Sequence, residues 1–152
     1  MQNIRVERLS SVTETLVSDL TNLLSELSET ALDLEADVIK GIINSELVQI
    51  FVAYDDAIPA PAGMLTLVCV TLLSGKKCII EDVIVGTRFR RRGIASELLH
   101  SAIVYSRTYG ARYIDLTSRS ERVAANELYK KTGFIKRQTN VYRRMLLEKL
   151  DL

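Results

Sequence analysis

The chain contains no tryptophan, one histidine, two cysteines and two prolines among its 152 residues. Each shortage removes a class of explanation. With His100 as the lone histidine and only Cys69 and Cys78 beside it, no set of residues has metal-ligand spacing, so no metal site is expected. Both cysteines lie in strand-like apolar segments. They read as small buried side chains, not as a disulfide. Long apolar runs are also missing. The uncharged stretch from Ala57 to Gly75 is broken early by Pro59, Pro61 and Gly63. What remains, Met64 to Leu73, is shorter than the roughly 20 residues a membrane helix needs, so no membrane span is expected. The first eight residues carry charges of both signs and no apolar h-region. They do not read as a signal peptide, and a cytoplasmic protein is expected. Net charge is only +1, so the chain is not basic overall and nucleic acid is not an expected partner.

The chain does contain apolar residues at regular spacing. They make up 47% of it, ordinary for a globular domain, and no repeat, low-complexity tract or linker divides it. One domain over residues 1–152 is expected. Residues 3–8 read as a strand. Ser11 with Glu14 forms a capping box, and Val12, Leu16, Leu20, Leu23 and Leu27 define a helix over 12–28. A second helix spans 33–44, with Val38, Ile39, Ile42 and Ile43 inward. Strands follow at 47–54, 64–73 and 77–85, the last two joined by the turn at Ser74-Gly75. A helix over 92–108 stops at Gly110, a strand covers 113–116, and a helix over 121–132 stops at Gly133. A final strand is predicted at 141–147. The order implies an α/β (α+β) fold with one mixed sheet covered by helices.

The chemistry concentrates where the strand at 79–85 runs through Arg90-Arg91-Arg92-Gly93-Ile94-Ala95 into a helix. A helix start presents N–H groups without partners and partial positive charge, which favours phosphate. Gly93 and the small Ala95 allow close approach to the backbone, and the arginines add charge-assisted bonds. No Gly-Lys-Ser/Thr follows, so this is not a P-loop, and the glycine triplet of a dinucleotide fingerprint is absent. A solvated charged face and a nucleic-acid patch built from Arg88, Arg90, Arg91, Arg92, Arg143 and Arg144 are the competing readings.

Arg90 to Ala95 resembles the pyrophosphate motif of the GNAT (GCN5-related) N-acetyltransferases, Q/R-x-x-G-x-G/A. Ala124 to Phe134, with Leu128-Tyr129 and Gly133-Phe134, resembles that family's second motif. The resemblance covers about 79–147. It implies a mixed, mostly antiparallel sheet that splays open between the strands at 79–85 and 112–117, with acetyl-CoA in the opening. The pyrophosphate would bind Arg90, Arg91, Arg92, Gly93, Ile94, Ala95 and Ser96, mainly through main-chain N–H groups. The pantetheine arm would bond to the main chain of Val83 and Val85. One departure stands out: Arg122 occupies the position where many members have Asn, seven residues before the motif Tyr. Asn126 is the candidate replacement contact.

The resemblance also implies transfer of an acetyl group to a primary amine by direct attack. Tyr129 is the candidate general acid for the departing thiolate. The competing reading is a Tyr that only packs. Glu81 is the candidate general base, placed by strand alternation on the face of Val83 and Val85, with Asp82 on the other face. A structural ion pair is the alternative for both acids. Acceptor choice would fall to the helices at 12–44 and the loops at 55–62 and 117–121. Glu29, Asp33, Glu35 and Asp37 could attract a cationic amine there. Homodimerisation through the C-terminal strand is a further expectation. A protein that binds acetyl-CoA without efficient catalysis is the alternative function.

Overall fold

The computed structural model describes residues 3–27 and 34–146. The chain runs β1 (Ile4–Arg8), α1 (Glu14–Leu27), α2 (Ala36–Ile43), β2 (Val48–Asp55), β3 (Pro61–Leu72), β4 (Gly75–Val85), α3 (Ile94–Tyr109), β5 (Ile114–Leu116) and α4 (Val123–Lys131), with one 3-10 turn at Thr87–Phe89. The strands form a single sheet in the order β1-β2-β3-β4-β5. Every pairing is antiparallel except β4 with β5, which is parallel. This is the mixed, mostly antiparallel sheet that was expected. Glu29, Asp33, residue 28 of the helix expected over 12–28 and Leu147 of the strand expected over 141–147 lie outside the described residues.

Side-chain alternation divides the core between the two faces of the sheet. Phe51, Leu65, Leu67 and Cys69 pack with Ile94, Leu98, Leu99 and Ala102 of α3. Ile50, Val52 and Met64 pack on the other face with Leu20 and Leu23 of α1 and Ile39 of α2. Cys69 and Cys78 are register partners on the α3 face, their sulfurs 3.3 Å apart and both thiols free. Each directs its N–H away from the other, to Leu47 O and Tyr113 O. Burial pushes the Cys69 thiol up to about 12, so it stays protonated.

Most elements lie within a few residues of expectation, but the cap of α1 and the last strand differ in kind. Leu16 N–H donates to Thr13 Oγ1 at 3.2 Å, so α1 is capped two residues later than Ser11. The predicted strand at 141–147 does not form over its described part, and residues 134–146 carry no regular structure. Val141, Tyr142, Met145 and Leu146 are all largely exposed. Their apolar alternation suits a strand, but they form no ladder with the short β5 edge.

β3 and α3 approach closely at Gly63. A Cβ there would lie 2.7 Å from Ile84 O and 3.2–3.3 Å from side-chain atoms of Ile94 and Leu98. Gly63→Ala should therefore destabilise the protein by about 1–3 kcal/mol in urea unfolding. Unchanged or raised stability would contradict this packing.

Candidate active site

β4 pairs with β5 over only three positions, Cys78↔Ile114, Ile79↔Asp115 and Ile80↔Leu116, yet β4 runs on to Val85. A β-bulge explains the divergence. Thr66 pairs with Glu81 and Met64 with Ile84, so Asp82 and Val83 together face Leu65. Asp82 takes up the extra residue at φ +50°, a left-handed conformation that Asp tolerates better than most side chains. The bulge reverses the alternation of β4. Cys78 and Ile80 face α3, as do Val83 and Val85, while Ile84 joins the α1 side. Glu81 therefore lies on the face opposite Val83 and Val85, not beside them as regular alternation predicted. Glu81 and Asp82 both line the cleft that opens where the two strands part. Its volume is about 530 Å³, and Leu27, Thr117, Arg119, Arg122 and Tyr129 contribute to its other walls.

The far end of β4 leads to the start of α3. Gly93 precedes the helix at φ +82°, and Arg91 also has positive φ, +62°. The main-chain N–H groups from Arg91 to Ser96, including those of Arg92, Gly93, Ile94 and Ala95, find no acceptor among the described residues. They form a row of free donors at the positive end of a 16-residue helix. The arginine side chains there differ in role. Arg92 donates to Asp55 Oδ2 at 2.9 Å. Asp55 is only 4% exposed, so this bond compensates a buried carboxylate and engages the Arg92 guanidinium in the fold. Arg90 reaches back to Val85 O at 3.4 Å, and Arg91 is exposed. Of Arg92, then, the main-chain N–H remains free for a ligand, whereas sequence reasoning had expected the whole residue.

Glu26 fixes the loop from the α1 side. Its Oε2 accepts both the N–H (2.8 Å) and the hydroxyl (2.7 Å) of Thr87, which opens the 3-10 turn. These bonds, with Arg90 and Arg88 nearby, hold its carboxyl below the usual range. Neither Glu26 nor Asp55 was marked by the sequence. Glu26 falls within the helix expected over 12–28 with no role of its own, and Asp55 within the loop at 55–62 assigned to acceptor choice.

Tyr129 lines the cleft from α4, half-buried, its ring edge-on to Phe134 at 6.1 Å. Its hydroxyl bonds to no described residue. Burial raises its pKa above the ordinary 10.0, partly offset by the Arg122 charge, so the phenol keeps its proton at neutral pH. Asn126 donates its side-chain amide to Arg119 O at 2.8 Å and to Arg122 O at 2.9 Å. Both of its N–H donors thus staple the loop before α4, and only its carbonyl oxygen stays available.

Comparison with known proteins agrees with this geometry. Residues 13–134 match the sequence model of the acetyltransferase (GNAT) family. An uncharacterised N-acetyltransferase of Methanocaldococcus jannaschii is 38% identical over 55 residues, which is 36% of this chain and 24% of that protein. The matched stretch therefore spans about a quarter of that relative. Among solved structures, an aminoglycoside acetyltransferase from an uncultured soil metagenomic sample, in complex with trehalose, superposes with a TM-score of 0.83. It is 17% identical, with 95% of this chain and 97% of that one covered. An aminoglycoside N-acetyltransferase in complex with CoA gives a TM-score of 0.77 at 17% identity, covering 97% of each chain. At such identity the likeness shows the fold.

The Glu26–Thr87 contact makes a pH-dependent prediction. A carboxyl with a depressed folded pKa contributes its stability fully above its unfolded value and loses it as pH falls through the folded one. Glu26→Gln should thus flatten the stability profile, measured by urea unfolding, as pH falls below 4.5. Parallel profiles for variant and wild type would show that the contact adds nothing.

Proposed function

The chain belongs to the GNAT acetyltransferase family, and from that premise we propose that it transfers the acetyl group of acetyl-CoA to a primary amine, by direct attack in a ternary complex. It would act as one domain over residues 1–152. The observation that carries this reading is the conjunction of three features. Free N–H donors lie at the start of α3, β4 has no ladder partner on its β5 side beyond Ile80, and Tyr129 stands in the cleft. These elements fit a molecule with a pyrophosphate at one end, an extended amide-bearing arm and a thioester at the other. The N–H groups of Arg91 to Ser96, with Arg90 beside them, would hold the pyrophosphate. The main chain of Val83 and Val85 would bond the pantetheine arm as a short strand. The neighbours named for aminoglycoside acetylation support an amine acceptor in general.

Each catalytic task falls to a group in the cleft. An alkyl ammonium has a pKa of about 10.4 in water and must lose a proton before it attacks. Glu81 would take that proton, directly or through a water. A main-chain N–H near Val83 would donate to the carbonyl oxygen as negative charge develops on it. The nitrogen–carbon bond forms and the carbon–sulfur bond breaks. Tyr129 would protonate the departing CoA thiolate, a task suited to a phenol that burial keeps protonated, and the second proton of the attacking nitrogen, lost as the amide forms, would restore the phenol through water. Neither Cys69 nor Cys78 is needed as a nucleophile. A cytoplasmic location belongs to the same proposal. Two copies would meet through the exposed segment that holds Val141, Tyr142, Met145 and Leu146, and a monomeric sedimentation coefficient would exclude that pairing.

Calorimetric titration tests the donor site. Wild-type protein should bind acetyl-CoA at micromolar concentration. Gly93→Trp, folded by circular dichroism, should not bind. Failure of the folded wild type to bind would remove the enzyme reading. Tyr129→Phe should keep donor binding but lower kcat by about 10²–10⁴-fold. In the wild type, the alkaline limb of kcat that reports the Tyr129 proton should fall above pH 10.0, because its pKa is raised. A Tyr129→Phe enzyme as fast as wild type would remove Tyr129 from the mechanism. Tight binding with no turnover of any amine would favour a protein that only binds acetyl-CoA.

A further inference from the structure

The cleft carries more charge than acetyl transfer uses. Glu81 and Asp82 stand on its β4 wall, Arg119 and Arg122 on the wall made by the loop before α4. Consecutive residues of a regular strand point to opposite faces, so two adjacent carboxylates on one cavity need a special backbone. The bulge supplies it, with Asp82 in the left-handed region. On the opposite wall, the Asn126 amide grips the carbonyls of both Arg119 and Arg122. The two arginines are thereby fixed at the main chain, and their guanidinium groups take no part in that bonding.

None of these four side chains forms an ion pair among the described residues, with each other or with any other group. Two acidic and two basic residues thus line one cleft without pairing there. Such walls orient a ligand that has its own separated charges. They penalise a diamine at the arginines and a dianion at the acids. In the proposed binding mode the donor's pyrophosphate lies at the start of α3, its pantetheine arm is uncharged, and its ribose 3′-phosphate lies beyond the pyrophosphate, at the end of the molecule away from the thioester, which leaves Arg119 and Arg122 beside the thioester end.

We infer that the acceptor is a small amine carrying an anionic group, its ammonium held by Glu81 and Asp82 and its carboxylate or phosphate by Arg119 and Arg122. This rests on the acetyl-transfer reading and names the substrate class for it. The planar guanidinium fork suits either anion. The size follows from a cleft of about 530 Å³ that also receives the thioester.

Matched acceptors test the inference. Initial rates of CoA release would be compared for 4-aminobutyrate, butylamine and 1,4-diaminobutane, and for phosphoethanolamine against ethanolamine. In at least one set the anionic amine should exceed its uncharged partner by about tenfold or more in kcat/KM, with the diamine poorest. The winning set tells carboxylate from phosphate. Arg119→Gln and Arg122→Gln should each bring that ratio towards one. The same amines titrated calorimetrically into CoA-saturated protein read the preference without turnover. Preference in binding with no turnover would sink acetyl transfer and leave the charge-matched site standing. Equal affinity for anionic and uncharged amines, or a better diamine, would overturn the inference. So would an Arg119→Gln variant that binds acetyl-CoA more weakly while its acceptor ratio is unchanged, since the cations would then serve the donor.

Discussion

One stretch of β4 meets two demands that a regular strand cannot meet together. Up to Ile80 it must sit between β3 and β5 with both edges paired. Beyond Ile80 it must leave β5 and offer its main chain to a cleft while staying paired to β3. The bulge at Asp82 and Val83 reconciles them. One extra residue bends the strand, ends the parallel ladder and reverses which side chains face α3. The cleft, the placement of Glu81 and the lack of a β5 partner beside Val83 and Val85 all follow from that local irregularity.

The loop beyond β4 is fixed by charges that compensate one another. Arg92 satisfies the buried Asp55 at the end of β2, and Glu26 of α1 holds Thr87. Between these anchors the chain can adopt positive φ at both Arg91 and Gly93 and leave a row of N–H groups unbonded. Free donors at a helix start are tolerable where water or an anion can reach them. The fold thus preorganises a polar surface and stabilises it from β2 and α1, elements remote in sequence.

What could be read from the sequence depended on how local the cause was. The arginine–glycine loop and the Tyr129 helix are set by their own residues, and both appear as read. The cap of α1 moved from Ser11 to Thr13 because two hydroxyl residues compete and packing chooses between them. The face of Glu81 was missed because alternation presumes an unbroken strand, and nothing in Ile80-Glu81-Asp82-Val83 announces a bulge. The strand predicted at 141–147 failed because an apolar alternation states which faces suit a sheet, not whether an edge accepts it. Asp55 and Glu26 were invisible for a related reason. Their partners, Arg92 and Thr87, lie 37 and 61 residues away.

Central to the proposed function is that acetyl-CoA binds where β4 and β5 diverge. Backbone amide chemical shifts recorded while CoA is titrated into the assigned protein test this most directly. The largest changes should fall on Arg91 to Ser96 and on Val83 and Val85, with smaller ones at Tyr129. Changes confined to other surfaces, with these amides unmoved at saturation, would contradict the account.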